Sequence, residues 1–205
     1  MTRMSSSRTK SRTPSAGRCE PAVARDDLST LPAIVRAYMR NYRADAGREL
    51  DFFRRSPLAV AIRYAALSEL PDGKRHPHQR RISRDRLREG ERNLQACANE
   101  LRACTHFDDV HAVVERELLG IRGIGILAVY DISSRIAAHL NLEPDRVYLH
   151  AGVVDGARAL GLDHRCVSLD PADLPAPFRR LRAGEIEDCL CIYKDALAAL
   201  RNRSS

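Results

Sequence analysis

Two glycines separated by one apolar residue, Gly123-Ile124-Gly125, stand between two stretches with helical spacing. Glycine suits a tight turn between helices, because a side chain there would obstruct the backbone or a close approach. The first N–H groups of the second helix have no partner within the helix, and together with the helix dipole they attract phosphate. Such contacts hold a sugar–phosphate backbone without reading its sequence. We therefore predict a phosphate-binding hairpin formed by Arg122, Gly123, Ile124, Gly125 and Ile126.

A second candidate for phosphate contact is the strongly basic stretch from residue 74 to residue 92, which reads KRHPHQRRISRDRLREGER. It holds eight Lys or Arg residues against three acidic ones. We predict that Lys74, Arg75, Arg80 and Arg81 contact phosphates. The alternative is a charged face that contacts only solvent. The histidines of His-Pro-His (76–78) have no neighbouring cysteine or carboxylate, so no metal site is predicted.

The elements that must hold these residues are helices, because apolar residues recur at helical spacing along residues 26–205 and no strand alternation stands out. We predict an all-α fold, a single compact domain of about eight or nine helices. Helices are predicted at 27–42, 56–70, 83–101, 105–120, from the hairpin to 140, 153–160 and 185–202, with shorter elements at 49–54 and 178–182.

Charge and composition indicate the kind of partner. The net charge of +7 and the pI of about 9.4 favour an anionic partner, either nucleic acid or a membrane surface. No apolar stretch is long enough to span a bilayer, so we expect DNA and no membrane. A basic protein without an anionic partner is the alternative. Aromatic residues are only 5% and Trp is absent, so aliphatic side chains must fill the core.

Residues 1–25 are rich in Ser, Thr and Arg and have no apolar periodicity. This composition predicts a disordered basic tail, because such a segment cannot bury enough apolar surface to fold. A basic tail adds nonspecific phosphate contacts.

The six cysteines form no CxxC pair and have no spacing typical of a secreted disulfide scaffold. We therefore expect reduced thiols, a cytoplasmic protein and no cofactor.

The stretch from Leu118 to Leu162 resembles the helix-hairpin-helix DNA glycosylase superfamily, whose hairpin motif reads LPGVGxKTA and whose following motif reads VDxHVxRVxxRLG. Here the first motif corresponds to IRGIGILAV at 121–129, and the second to VYLHAGV at 147–153 followed by RALG at 158–161. The resemblance implies an all-helical fold with the hairpin beside a cleft, and a role in DNA repair.

The chain departs from the family at both catalytic positions. Leu127 stands where bifunctional members carry the Schiff-base lysine, and Tyr148 stands where the family carries its essential aspartate. Neither side chain supplies the carboxylate or the amine that this chemistry requires. His150 matches the family's histidine, but a helix-start or packing role is its alternative, and Asp131 and Asp155 are the remaining candidate carboxylates.

Three hypotheses follow. The first is a helix-hairpin-helix protein that grips the DNA backbone without sequence specificity and without catalysis. The second is a divergent base-excision glycosylase or lyase that uses Asp131 or Asp155. The third is a protein-interaction module, in which the hairpin glycines are buried and the basic surface lies elsewhere.

Overall fold

The computed structural model describes residues 26, 28–70, 73–76 and 79–204. Helix accounts for 68% of the residues, which confirms the predicted all-α class. The helices are α1 (Leu31–Asn41), α2 (Arg43–Arg55), α3 (Leu58–Leu67), α4 (Arg84–Ala96), α5 (Ala98–Ala103), α6 (Phe107–Leu118), α7 (Ile126–His139), α8 (Ala151–Ala159), α9 (Ala183–Ile192) and α10 (Lys194–Ser204). None of them combines the length and the apolar character needed to cross a bilayer. The predicted tail at 1–25 lies outside the described residues.

Two helix starts are fixed by capping residues, and α1 begins at Leu31, later than the predicted start at residue 27. Thr30 has an extended backbone, its hydroxyl accepts a hydrogen bond from the N–H of Ala33 at 3.3 Å, and a proline occupies the first turn of α1. At the start of α4, the hydroxyl of Ser83 accepts from the N–H of Arg86 at 3.4 Å. Each cap satisfies an amide that the helix itself leaves unpaired.

Two helices that the sequence predicts as continuous are interrupted. The first leaves helical geometry at Cys97, where ψ is 12°, and resumes as α5; the second does so at Tyr193, where ψ is 16°, and resumes as α10. The helical spacing of apolar residues continues across a short bend, so the sequence pattern does not reveal the bend. Helix α2 is longer than the predicted element at 49–54, because its single buried residue, Phe53, leaves little apolar periodicity.

A small antiparallel sheet was not predicted. Strands β1 (Val147–Tyr148) and β2 (Ser168–Leu169) pair Val147 with Leu169 and Tyr148 with Ser168. Two residues per strand are too few to show a period of two in the sequence. Between β2 and α9, the chain forms short 3-10 helices at Pro171–Asp173 and Ala176–Arg180.

The buried side chains form two clusters, which we call the hairpin lobe and the terminal lobe. The hairpin lobe is built from α2 to α7 together with the hairpin. The terminal lobe is built from α1, the sheet, the second 3-10 helix and α8 to α10. Helix α1 thus belongs to the terminal lobe, α2 to α7 form the hairpin lobe, and the elements from β1 onward belong to the terminal lobe again. Helices from both lobes line the space between them.

Candidate functional site

The hairpin connects α6 to α7 and is held by two buried isoleucines, Ile121 and Ile124. Between and after them, Arg122, Gly123 and Gly125 are exposed. Gly123 has a φ of +94°, a conformation that L side chains rarely adopt, so the turn requires glycine there. A Cβ added at either glycine would meet no atom within 4 Å, so open space lies in front of both.

Helix α4 passes close beside the hairpin, and Gly90 makes this approach possible. A Cβ at Gly90 would lie 2.8 Å from Cδ2 of Leu118 and 3.7 Å from the Cδ1 atoms of Ile121 and Ile124. Helix α4 also carries exposed arginines, at 84, 86, 88 and 92. Arg86 and Arg88 form ion pairs with acidic residues three positions away, at 2.9 and 3.7 Å, so part of this charge is neutralised within the helix.

The predicted phosphate contacts of the basic stretch separate into two groups. Lys74, Arg80 and Arg81 are exposed, as a phosphate contact requires. Arg75 is half-buried, and its Nη2 donates to the carbonyl oxygens of Gln79 and Ile82 at 2.5 and 3.0 Å. Arg75 therefore holds the loop together, and its prediction as a phosphate ligand is corrected.

The basic stretch is fastened to α7 near the hairpin. The side-chain amide of Gln79, itself only 1% exposed, donates to the carboxylate of Asp131. Asp131 lies five residues after the first residue of α7, which is less than two helical turns. This hydrogen bond ties the segment that carries the exposed cations at 80 and 81 to the first half of α7.

A cavity of about 340 Å³ lies between the two lobes. Its walls come from α1, α2, α7 and α9, so residues far apart in the chain meet there. The charged and hydroxyl-bearing residues that line it are Tyr38, Arg43, Glu49, Arg54, His76, Tyr130, Asp131, Ser134, Arg135, Glu143, Arg182, Glu185, Glu187 and Asp188. We call this space the interlobe cavity.

Two adjacent carboxyl groups of α9 dominate the chemistry of the cavity. Oε1 of Glu187 lies 2.6 Å from Nε2 of the buried His150, and Asp188 accepts a hydrogen bond from the hydroxyl of Tyr38 at 3.0 Å. Burial raises the pKa of Glu187 and of Asp188 to about 8, and repulsion from neighbouring carboxylates adds to both shifts. Burial also lowers the pKa of His150. Near neutral pH these acids hold protons and can donate hydrogen bonds.

The opposite wall of the cavity presents a buried guanidinium. Arg135 on α7 is 6% exposed, and its Nε donates to Oε1 of Glu49 at 3.0 Å. Its Nη1 is buried without a hydrogen-bond partner among the described residues. A buried donor left unsatisfied destabilises the fold, which makes this atom a candidate ligand contact.

Ion pairs between the lobes close the mouth of the cavity. Arg43 binds Glu185 at 2.7 Å, joining α2 to α9. Glu143, which follows α7, binds Arg182 at 2.6 Å and Arg54 at 3.2 Å. The Arg43–Glu185 and Arg182–Glu143 contacts tie the terminal lobe to the first and last parts of the hairpin lobe.

The three candidate catalytic residues lie in different surroundings. Asp131 lines the cavity. Asp155 lies on the outer surface of α8, where it pairs with Arg158 at 2.9 Å, so its prediction as a carboxylate facing the cleft is corrected. His150 is the residue before α8 and lies behind Glu187 rather than in the cavity wall.

The family's catalytic positions also fall outside the cavity wall. The hydroxyl of Tyr148 donates to Asp108 at 2.6 Å, within an aromatic cluster that includes Phe107 and Tyr130. Leu127 is half-buried in the first turn of α7. Neither residue lines the interlobe cavity.

Sequence reasoning missed Glu187 and Asp188. One signal was available, since Glu187 lies three residues before the buried Leu190 and therefore on the apolar stripe of α9. An acid on such a stripe predicts a buried carboxyl group. Its neighbours His150 and Asp131 could not be identified, because they come from elements distant in the chain.

Among the described residues, no group of three or more His, Cys, Asp or Glu side chains is arranged to hold a metal ion. No protein-family model, no curated protein and no solved structure matches this chain.

Proposed function

We propose that this protein binds DNA through its hairpin face, holding the phosphate backbone without reading sequence. The observation that carries the proposal is the open space in front of Gly123 and Gly125, at the start of α7. The first N–H groups of a helix attract phosphate, and no side chain obstructs them here. Arg122 is exposed in the same turn.

Exposed cations add to this surface. Lys74, Arg80 and Arg81 extend solvent-exposed side chains from the stretch that Gln79 ties to α7. Such side chains contribute to binding mainly by releasing counterions from DNA. The affinity must therefore fall steeply as the salt concentration rises, by a logarithmic slope of about −0.9 for each phosphate contacted.

The test is fluorescence anisotropy on a duplex oligonucleotide across a salt series, with Gly125→Asp as the variant. A carboxylate in front of the α7 amides repels phosphate, so we expect affinity to fall roughly 100-fold, a change of about 3 kcal/mol. Ala198→Asp adds the same charge on the exposed surface of α10 and serves as the matched control. Equal loss in both variants, or salt-independent binding, would exclude the proposal.

The same assay separates DNA from a protein partner on this face. Leu119 and Ile126 beside the turn are 46% and 58% exposed, and apolar contacts of this kind persist at high salt. If the hairpin face binds a protein partner instead of DNA, we expect little DNA affinity even at low salt.

Base excision in the interlobe cavity is the second candidate function, because Asp131 lines that cavity. Such a reaction requires a carboxylate that stabilises an oxocarbenium-like sugar and activates water. In this proposal Asp131 has that role, and the protonated Glu187 and Asp188 donate hydrogen bonds to the departing base.

The activity is tested by incubating the protein with oligonucleotides that carry a panel of damaged bases, followed by alkaline cleavage of abasic sites. We expect Asp131→Asn to lose product formation and Asp155→Asn, on the outer surface, to retain it. Absence of product from the unchanged protein, or equal activity of both variants, would rule out this use of the cavity.

A further inference from the structure

A groove of about 290 Å³ adjoins the mouth of the interlobe cavity and is lined by Arg43, Arg179, Arg180, Leu181, Arg182 and Glu185. We call it the arginine groove. Three of these residues, Arg43, Arg182 and Glu185, also line the cavity, so the two spaces are continuous. The hairpin contributes no residue to the groove.

The backbone of the groove is held in place by buried neighbours. Phe178 and Leu181 are 0% and 7% exposed and pack into the terminal lobe. Arg179 and Arg180 lie between them and are exposed. The 3-10 helix Ala176–Arg180, which begins after Pro175, fixes this segment further. The two guanidinium groups are thus presented from an anchored segment, which reduces the entropy lost when they bind.

The acidic residue of the groove is already fully engaged. Both carboxylate oxygens of Glu185 bind Arg43, at 2.7 and 2.8 Å, and Glu185 also accepts from the N–H of Arg182 at 2.9 Å. Outside the groove, Glu143 holds the guanidinium of Arg182 at 2.6 and 2.8 Å.

The charges of Arg179 and Arg180 are not neutralised by an acidic side chain among the described residues. Within the part of the chain that the structure describes, neither forms an ion pair, whereas the arginines at 86, 88, 116 and 158 all do. Four guanidinium groups around one engaged carboxylate leave the groove with excess positive charge. An anion that binds there relieves this repulsion.

We propose that the arginine groove binds a phosphate group carried by a nucleotide. The planar fork of guanidinium matches two phosphate oxygens, so adjacent arginines bind phosphate bidentately. The ten-residue helix α9 begins at Ala183, and its positive dipole end adds to the attraction. The site stands apart from the hairpin, and its assignment to DNA rests on the DNA binding proposed above.

The main ligand in this proposal is a phosphodiester of the same DNA. Arg182 binds Glu143, four residues beyond the end of α7, whereas the hairpin lies at the start of that helix. A 14-residue helix is about 21 Å long at roughly 1.5 Å per residue. That length corresponds to about six phosphates along one strand. A short duplex can therefore reach both sites.

The test compares the double variant Arg179→Ala/Arg180→Ala with Arg63→Ala/Arg165→Ala, which removes two exposed arginines elsewhere. Duplex affinity is measured by anisotropy across a salt series, after circular dichroism has verified folding. For the groove variant we expect the magnitude of the logarithmic salt slope to fall by about 1.8, or 0.9 for each lost phosphate contact. The control keeps a slope near that of the unchanged protein.

A second arm uses a 5′-mononucleotide, titrated by calorimetry, to distinguish a free phosphate monoester from DNA. Weaker mononucleotide binding in the groove variant with an unchanged DNA slope assigns the groove to a free nucleotide. If the groove and control variants agree in both arms, the proposal is overturned. The hairpin is judged separately, since Gly125→Asp with unchanged DNA affinity would refute the hairpin proposal and leave the groove standing.

Discussion

The hairpin face and the interlobe cavity both present polar groups, but their construction differs. In the hairpin, Ile121 and Ile124 are buried and the backbone between and after them faces solvent, so no charged group is removed from water. In the cavity, Glu187 and Arg135 are 6% exposed, and each carries an ionisable group into the interior. The hairpin face is therefore nearly neutral to stability, whereas the cavity reduces it.

This difference indicates what each region can do. Backbone amides at a helix start recognise a repeating phosphate chain and provide no group that transfers a proton. Buried carboxyl groups with raised pKa values can transfer one near neutral pH, and such groups concentrate at functional sites. We therefore expect backbone phosphate binding at the hairpin face and any chemistry in the cavity.

The largest expected effect is on the pH dependence of the free energy of unfolding, when Glu187 is replaced by a residue that cannot ionise. The pKa of Glu187 rises from 4.5 in the unfolded chain to about 8 in the fold, so the folded state retains a proton between those values. Stability therefore falls as pH rises from about 4.5 to 8, by at most roughly 4 to 5 kcal/mol from this group. Glu187→Gln should remove this contribution, leaving the similar one of Asp188, whose pKa is also raised to about 8, and should stabilise the protein at pH 8.

Urea unfolding at pH 5, 6.5 and 8 measures this prediction. Glu100→Gln, which alters an exposed carboxylate paired with Arg116, is the control and should leave the steep dependence intact. A Glu187→Gln protein that is less stable than the unchanged protein at pH 8 would show that the buried acid stabilises the fold.

A smaller loss is expected at the contact between α8 and α9. A Cβ at Gly156 would lie 2.4 Å from the carbonyl oxygen of Leu190, a backbone atom that cannot rotate away. Gly156→Ala should therefore destabilise the protein by about 2 to 3 kcal/mol in urea unfolding. It should also disturb the pH dependence above, because α9 carries Glu187. Gly120→Ala, with open space around it, should change stability little, and equal effects would contradict the close contact.

The two hairpin glycines should separate folding from binding. Gly123 has a φ of +94°, so Gly123→Ala should lose about 1 kcal/mol of stability. Gly125 has a φ of −113° and a ψ of 178°, which any residue adopts, so Gly125→Ala should unfold like the unchanged protein. Thermal unfolding measures the stability of both variants. DNA anisotropy on Gly125→Asp measures the effect on binding. A stable Gly123→Ala protein would argue against the strained turn.

The smallest effect is expected at Asp155. Its ion pair with Arg158 joins side chains that are 50% and 54% exposed, so Asp155→Asn should change the free energy of unfolding by less than about 0.5 kcal/mol. Chemical denaturation is the measurement. A loss above about 1 kcal/mol would mean that this carboxylate has a structural role that its exposure does not explain.

Much of the hairpin could be predicted from the sequence because its determinants are local. The glycines, the buried isoleucines and the apolar spacing of α7 lie within about twenty neighbouring residues, and the structure has α7 ending at His139, one residue before the predicted end. By contrast, Arg75 looked like its basic neighbours, and only its contacts with two carbonyl oxygens distinguish it.

The sequence by itself determined the helical class, the position of the hairpin and the excess of positive charge, since these depend on composition and on spacing between near neighbours. Only the tertiary structure decided which carboxyl groups are buried together. Tyr38, Asp131 and Glu187 come from three helices in two lobes, and no local pattern relates them. A raised pKa depends on the removal of water by distant parts of the chain, and that removal exists only in the folded molecule.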